Sequence, residues 1–202
     1  MIKIKVFDFD NTIYQGESAI DFFLYIISKN KHYTKYLPLT IYSYILYKTK
    51  RLPLDYVKKI ADKYAHEIVN NKNEFKELVH EFWIQNSKKL KPKFLEMISE
   101  DDIIITGSPN ILIDEIKDKL NTKNIICSQI NLDTGDLEFL CLGKNKSAIF
   151  QLQYPNARID ELYTDSMNDK PLINISKKAY LVKGDEIKEI AKPKKRIRRK
   201  WN

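Results

Sequence analysis

The stretch "VFDFDNTIY" at residues 6–14 sets Asp8 and Asp10 two residues apart at the end of an apolar run, with the hydroxyl of Thr12 two residues further on. A strand alternates its side chains between two faces, so both carboxylates point the same way and repel each other unless a cation lies between them. Two other apolar runs also end in oxygen-bearing residues, "IIITGS" at Thr106 and "LYTDSMND" at Asp165. In an open parallel sheet, ligands bind outside the carboxyl ends of the strands, so three such ends predict one shared crevice. Asp8 and Asp165 would bring hard oxygen ligands to it. That set suits Mg²⁺, which takes one or two protein carboxylates and keeps water or substrate phosphate for its other positions.

The elements that must position these residues are legible from hydrophobic period. Ile2, Ile4 and Val6 alternate with lysines and predict a first strand. Residues 17–91 change to helical period: Phe22, Phe23, Ile26 and Ile27 form one stripe, Val57, Ile60, Ala61, Tyr64 and Ile68 a second, and Phe75, Leu78, Val79 and Phe82 a third. Glycine is absent from residues 20–105, as expected of an all-helical block whose aromatic stripes form its core. Its tyrosines 42, 44, 47 and 56 mark no ligand site. After Pro92 the period changes again. "DIIIT", "NIICSQINL", "LEFLCL", "ELYTD" and "AYLVK" predict strands, the second and third joined through the turn "DTGD", while "SPNILIDEIKDKL" and "KSAIFQLQ" predict helices. Ser108 and Pro109 are expected as the N-cap and first residue of a helix whose free amides favour an anion. Alternating strands and helices imply a doubly wound, mostly parallel, Rossmann-like α/β core. It is expected to be discontinuous, over residues 1–15 and 92–191, with an all-helical cap at 16–91 inserted after strand one and a basic tail at 192–202.

The chain has 202 residues, 43% of them hydrophobic, enough to bury a sizeable core. Its net charge of +8 resembles a nucleic-acid binder's until it is located: seven of the 35 basic side chains lie within residues 192–200, and the other 28 face 27 acidic ones. Attraction to nucleic acid or to an anionic membrane is thus a property of the tail, whose Trp201 adds an aromatic anchor. The most apolar segment, residues 36–47, is broken by Pro38, Thr40 and Ser43 and is shorter than the roughly 20 residues that span a bilayer. It is expected as a buried helix. The chain opens on a strand rather than a leader, which predicts a cytoplasmic protein. Cys127 and Cys141 lack metal-ligand spacing and are expected as reduced core thiols.

Four motifs, in order, resemble those of the haloacid dehalogenase-like hydrolases: "DFDNT", the threonine closing "IIIT", the lysine of "GKNK", and "DSMND". The helical insertion and "TGSP" further resemble the subgroup containing phosphoserine phosphatase. The resemblance implies Mg²⁺-dependent hydrolysis of a small phosphorylated metabolite. Asp8 would be the nucleophile and a metal ligand. Asp10 would be the acid and base, its main-chain carbonyl also on the metal, and Asp165 would complete the metal ligands. Thr106, Gly107 and Asn11 would hold the phosphate. Lys146, which the glycine-x-x-lysine spacing from Gly143 selects over Lys144, would keep Asp8 ionised, with Asp169 orienting Lys146 or holding a metal-bound water. Thr164 stands where the family commonly has glycine. Aspartate at position 10 favours a phosphatase over a dehalogenase or phosphonatase. Glu17 matches the position at which phosphoserine phosphatases read an amino group, although "ES" is also a helix start, and Arg51 could meet a substrate carboxylate. The alternatives are phosphoserine phosphatase specifically, or a non-enzymatic binding protein that uses the basic tail.

Overall fold

The computed structural model describes residues 4–49, 51, 53–68 and 72–191. The tail at 192–202 lies outside the described residues, as do the side chains of Tyr44, Tyr47, Val57, Ala61, Tyr64 and Ile68.

Seven strands form one sheet among these residues: β1 (Ile4–Phe7), β2 (Ile103–Pro109), β3 (Asn124–Ile130), β4 (Leu137–Phe139), β5 (Ile159–Thr164), β6 (Lys178–Lys183) and β7 (Glu186–Glu189). Their order is β4-β3-β2-β1-β5-β6-β7, parallel except where β4 and β7 join the edges antiparallel. The chain steps outward from β1 to β3, then returns to the other side of β1 for β5 and β6. The strand order therefore reverses at β1, where ligands of such sheets bind. Phe7 pairs with Ile104 on one side and Tyr163 on the other, so Asp8, just past β1, comes out beside Thr164, the last residue of β5.

Between β1 and β2 come α1 (Ser18–Lys29), α2 (Leu37–Lys48), α3 (Leu54–Ile68), α4 (Lys72–Asn86) and α5 (Pro92–Met97). Later in the chain lie α6 (Asn110–Ile116), α7 (Lys144–Gln153) and α8 (Lys170–Ile175). Alternation along the strands divides the core in two. Val6, Ile103 and Ile105 pack with Phe150 of α7 and Leu172 of α8. Phe7 and Ile104 belong to the opposite cluster with Phe22, Phe82 and Trp83 of the helical block. Trp83 is tied down by donating its indole N–H to the carbonyl of Leu112, 2.8 Å away.

Two expectations are corrected, and one strand is added. The helix after β2 begins at Asn110, with Pro109 extended (φ −73°, ψ 149°) as its cap, so Ser108 belongs to the strand. Its amide donates to Thr106 Oγ1 and its hydroxyl to Asp10, which holds the backbone open. The apolar segment 36–47 forms α2 but its described apolar side chains are not buried: Leu39, Ile41, Tyr42 and Ile45 are exposed, and among the described side chains Ser43 is the buried one. The helix turns its hydroxyl face inward, and no described element covers the other. β7 was not anticipated because Glu186, Lys188 and Glu189 surround one apolar residue, a composition suited to an edge strand. No helix among the described residues is long and apolar enough to cross a membrane.

Phe82 is fully buried, with its ring 5.3 Å from Phe22 and 5.0 Å from Trp83. Phe82→Ala should cost about 3–5 kcal/mol, read as a lower urea midpoint at unchanged slope. A loss below 1 kcal/mol would show that the helical block does not share the sheet's cooperative unit.

Candidate active site

Asp8 follows β1, and its amide donates to the Tyr163 carbonyl of β5, 2.8 Å away, so the register of the sheet sets its position. Its Oδ1 accepts from the Phe9 amide at 2.9 Å and from the Lys146 ammonium at 2.8 Å. Both donors take Oδ1, which leaves Oδ2 to the cavity that Asp8 lines. Lys146 lies in the first turn of α7 and is buried; its Nζ also donates to Asp169 Oδ2 at 3.0 Å. Lys144, the neighbouring candidate, does not line the cavity.

Burial pushes the Asp8 carboxyl well above the usual carboxylate range, against the pull of Lys146 and with Asp169 and Asp165 adding like charge. Burial also works to lower Lys146, but the carboxylates of Asp169 and Asp8 outweigh it and hold the ammonium charged. Three carboxylates around one ammonium leave the site short of positive charge. Asp8 Oδ2 and Asp165 line the same cavity as hard oxygen donors, so the set fits a small divalent cation.

Asp10 is fastened at both oxygens: Oδ1 accepts from the Ser18 amide at 2.7 Å and Oδ2 from the Ser108 hydroxyl at 2.8 Å. Burial, with the like charge of Glu17 behind it, pushes its carboxyl up to about 6. Asn11 adopts a left-handed backbone (φ 57°), which asparagine tolerates, and donates Nδ2 to Glu17 Oε1 at 2.8 Å and to Asp165 Oδ2 at 3.4 Å.

The cavity between the helical block and the strand ends measures about 330 Å³. Asp8, Asp10, Glu17, Gly107, Lys146, Asp165 and Asp169 all line it. Thr106 and Asn11 do not. Thr106 is fully buried, with Oγ1 accepting the Ser108 amide. A side chain at Gly107 would run into Leu142. Arg51 is exposed and stands apart from the cavity. Glu17 is the N-cap of α1 in position but makes no side-chain cap bond. Cys127 and Cys141 are buried free thiols, each pushed up to about 12 by burial.

Some contributors were not identified in the sequence. Ser18 had only its place after Glu17 as a signal, and Ser108 was assigned to a helix cap. Thr164, seen as a departure, donates its hydroxyl to Asp169 Oδ2 at 2.9 Å. Asp62 and His66 of α3 meet Asp136 of the β3–β4 turn, their ligand-type atoms within 4.8 Å of one another. These atoms are engaged in a clasp: Asp62 accepts from the Leu137 amide at 2.8 Å, and His66 pairs with Asp136 at 3.0 Å.

A doubly wound sheet with carboxylates and a lysine converging where its strand order reverses defines an α/β protein with its chemistry at the strand ends. Residues 6–174 match the family model for haloacid dehalogenase-like hydrolases, and the chain belongs to that family of enzymes. The fold recurs in solved structures. One is a protein of unknown function from Bordetella pertussis Tohama I (TM-score 0.68, 14% identity, covering 85% of this chain and 86% of that one). Another is a phosphoserine phosphohydrolase-like protein from Francisella tularensis subsp. tularensis SCHU S4 (0.59, 18%, 88% and 86%). A third is a substrate-bound phosphoserine phosphatase complex (0.56, 13%, 89% and 85%). At these identities the likeness is one of fold. None of the curated proteins is a detectable match to the sequence.

Thr164→Val keeps the side-chain volume and removes the hydroxyl from Asp169. The loss of a buried hydrogen bond to a carboxylate should cost about 1.5–3 kcal/mol in urea unfolding. No change in stability would show that Asp169 is held by Lys146 alone.

Proposed function

We propose that this hydrolase is a Mg²⁺-dependent phosphatase that releases inorganic phosphate from a small phosphorylated molecule through an aspartyl-phosphate on Asp8. The observation that carries the reading is the Lys146 ammonium, bonded to both Asp8 and Asp169 at a cavity that Asp10 and Asp165 also line.

Asp8 Oδ2 attacks phosphorus in line with the ester oxygen, and the phosphorus–oxygen bond to the alcohol breaks as the bond to Asp8 forms. Asp10 gives its proton to the departing oxygen; the upward push on its carboxyl supports that acid role. Asp10 then takes a proton from water, the water oxygen attacks phosphorus, and the bond to Asp8 breaks. Alcohol and inorganic phosphate are the products. Ser18 and Ser108 hold Asp10 in place. Lys146 keeps Asp8 oriented and offsets charge at the incoming phosphate, with Asp169 and Thr164 behind it. Gly107 offers backbone at the cavity wall for the phosphoryl oxygens, with Thr106 and Asn11 bracing the loops on either side. Asp8, Asp165 and the Asp10 carbonyl would hold Mg²⁺, which supplies charge stabilisation to the transferring phosphoryl group. Residues 16–91 act as a cap that excludes bulk water over a core of residues 1–15 and 92–191. The placement of Arg51 outside the cavity gives no support to serine phosphate as the substrate.

Turnover of acetyl phosphate and of phenyl phosphate tests the reading. Both should be hydrolysed with Mg²⁺, lost on chelation, restored by Mg²⁺ and poorly restored by Ca²⁺, whose larger, flexible coordination spoils in-line geometry. Asp8→Asn should lower kcat by about 10⁴-fold or more with its circular dichroism unchanged. Near-native turnover in that variant, or full activity after chelation, would reject the proposal.

A further inference from the structure

We infer that the ester this site hydrolyses is that of an apolar alcohol or phenol, its uncharged body seated beneath the helical block; the inference rests on the phosphatase reading of the same site. The cavity is divided by chemistry. Its carboxylates and its described cation lie at the strand ends, whereas the part reaching under the helices is walled by Phe22, Phe23, Ile26, Phe75, Ile111 and Leu140. These side chains are nearly buried, at 8% exposure or less, so the apolar wall is continuous with the core.

Among the described residues lining the cavity, Lys146 is the one with a cationic side chain, and its Nζ is bonded to Asp8 and Asp169. A leaving group with its own carboxylate would bury that charge against phenylalanine and isoleucine with no cation to meet it. A leaving group with an ammonium would have Glu17 as the nearest acidic candidate beyond the catalytic set, but Glu17 Oε1 accepts from Asn11 Nδ2 at the strand-end side. An apolar body meets neither penalty and gains from removal of its surface from water.

A second observation marks the chamber as a ligand site. Ser43 of α2 lines it at 7% exposure, and its Oγ has no hydrogen-bond partner. Thr40, the other hydroxyl at that end, donates to the Tyr36 carbonyl. A buried hydroxyl without a partner is uncommon in a closed core. It leaves one point, on the α2 wall of the cavity, at which an otherwise apolar ligand can carry a single hydrogen-bonding group. At about 330 Å³ the whole cavity, strand ends included, is at the small end of ligand pockets, which limits the body to a short chain or a ring.

Alkylphosphonates, which resist hydrolysis, separate binding from turnover. Titration calorimetry on the Mg²⁺-loaded full chain should show affinity rising from methyl- through butyl- to hexylphosphonate by about four-fold per methylene until the chamber is filled. Butylphosphonate should bind at least about ten-fold tighter than 2-amino-4-phosphonobutanoate, the non-hydrolysable counterpart of serine phosphate, because of the latter's unmatched charge. Ile60 lines the chamber at a half-buried position of α3, so Ile60→Lys should fold and weaken hexylphosphonate by at least about ten-fold. Affinity independent of chain length, or tightest for the amino acid phosphonate or for phosphocholine, would overturn the inference even if acetyl phosphate is hydrolysed. Chain-length dependence without turnover of any phosphate ester would instead overturn the phosphatase reading and leave the apolar chamber standing.

Discussion

The ion pair that Lys146 makes with Asp8 and Asp169 is the constraint around which the rest of this structure is arranged. Taking an ammonium and two carboxylates out of water is expensive, and the cost is met only where geometry is good and the remaining atoms are hydrogen-bonded. Each partner here is held independently. Asp8 has the Phe9 amide and a main-chain bond to β5, Asp169 has the Thr164 hydroxyl, and Lys146 is fixed in the first turn of α7. Removing Lys146 would leave two buried carboxylates without a counter-charge.

That arrangement still leaves negative charge in excess at the strand ends. Asp165 adds a third carboxylate to the same cavity, and Asp10 sits two residues from Asp8 with its oxygens held by Ser18 and Ser108. Burial acts on the two neighbouring aspartates in different company: Asp8 faces an ammonium, whereas Asp10 faces neutral donors and Glu17. In the proposed mechanism these different surroundings go with different roles, Asp8 as the nucleophile beside the ammonium and Asp10 as the proton carrier.

The helical block contributes a different kind of constraint. Its inward aromatic residues join the core cluster on one face of the sheet, and its far end is clasped to the β3–β4 turn through Asp62, His66 and Asp136. At that turn, a Cβ on Gly135 would lie 2.9 Å from His66 Cα, and the glycine has φ +80°, so the close approach depends on the missing side chain. The block is therefore fixed at its base and at its tip, with the chamber between. In the proposed reading, specificity is a matter for these walls and the reaction chemistry belongs to the strand ends.

By itself the sequence determined the class of sheet, the helical insertion and the identity of the charged residues at the strand ends. Those features are written locally, in period, in glycine spacing and in carboxylates that close apolar runs. The resemblance to the family's motif pointed to Lys146 rather than Lys144, and Lys146 is the one of the two that lines the cavity. Other features depended on contacts between distant segments. Ser108 looks like a helix cap until Asp10, 98 residues away, competes for its hydroxyl. Thr164 looks like a departure until Asp169 is folded back against it. The apolar run in α2 reads as core because hydropathy does not say which face has a neighbour, and its hydroxyl side is the one turned inward. β7 has too little apolar content to announce a strand and exists because β6 presents an edge to it. Tertiary structure alone decided the chamber, since its walls come from six separate segments and only their packing leaves a space between them.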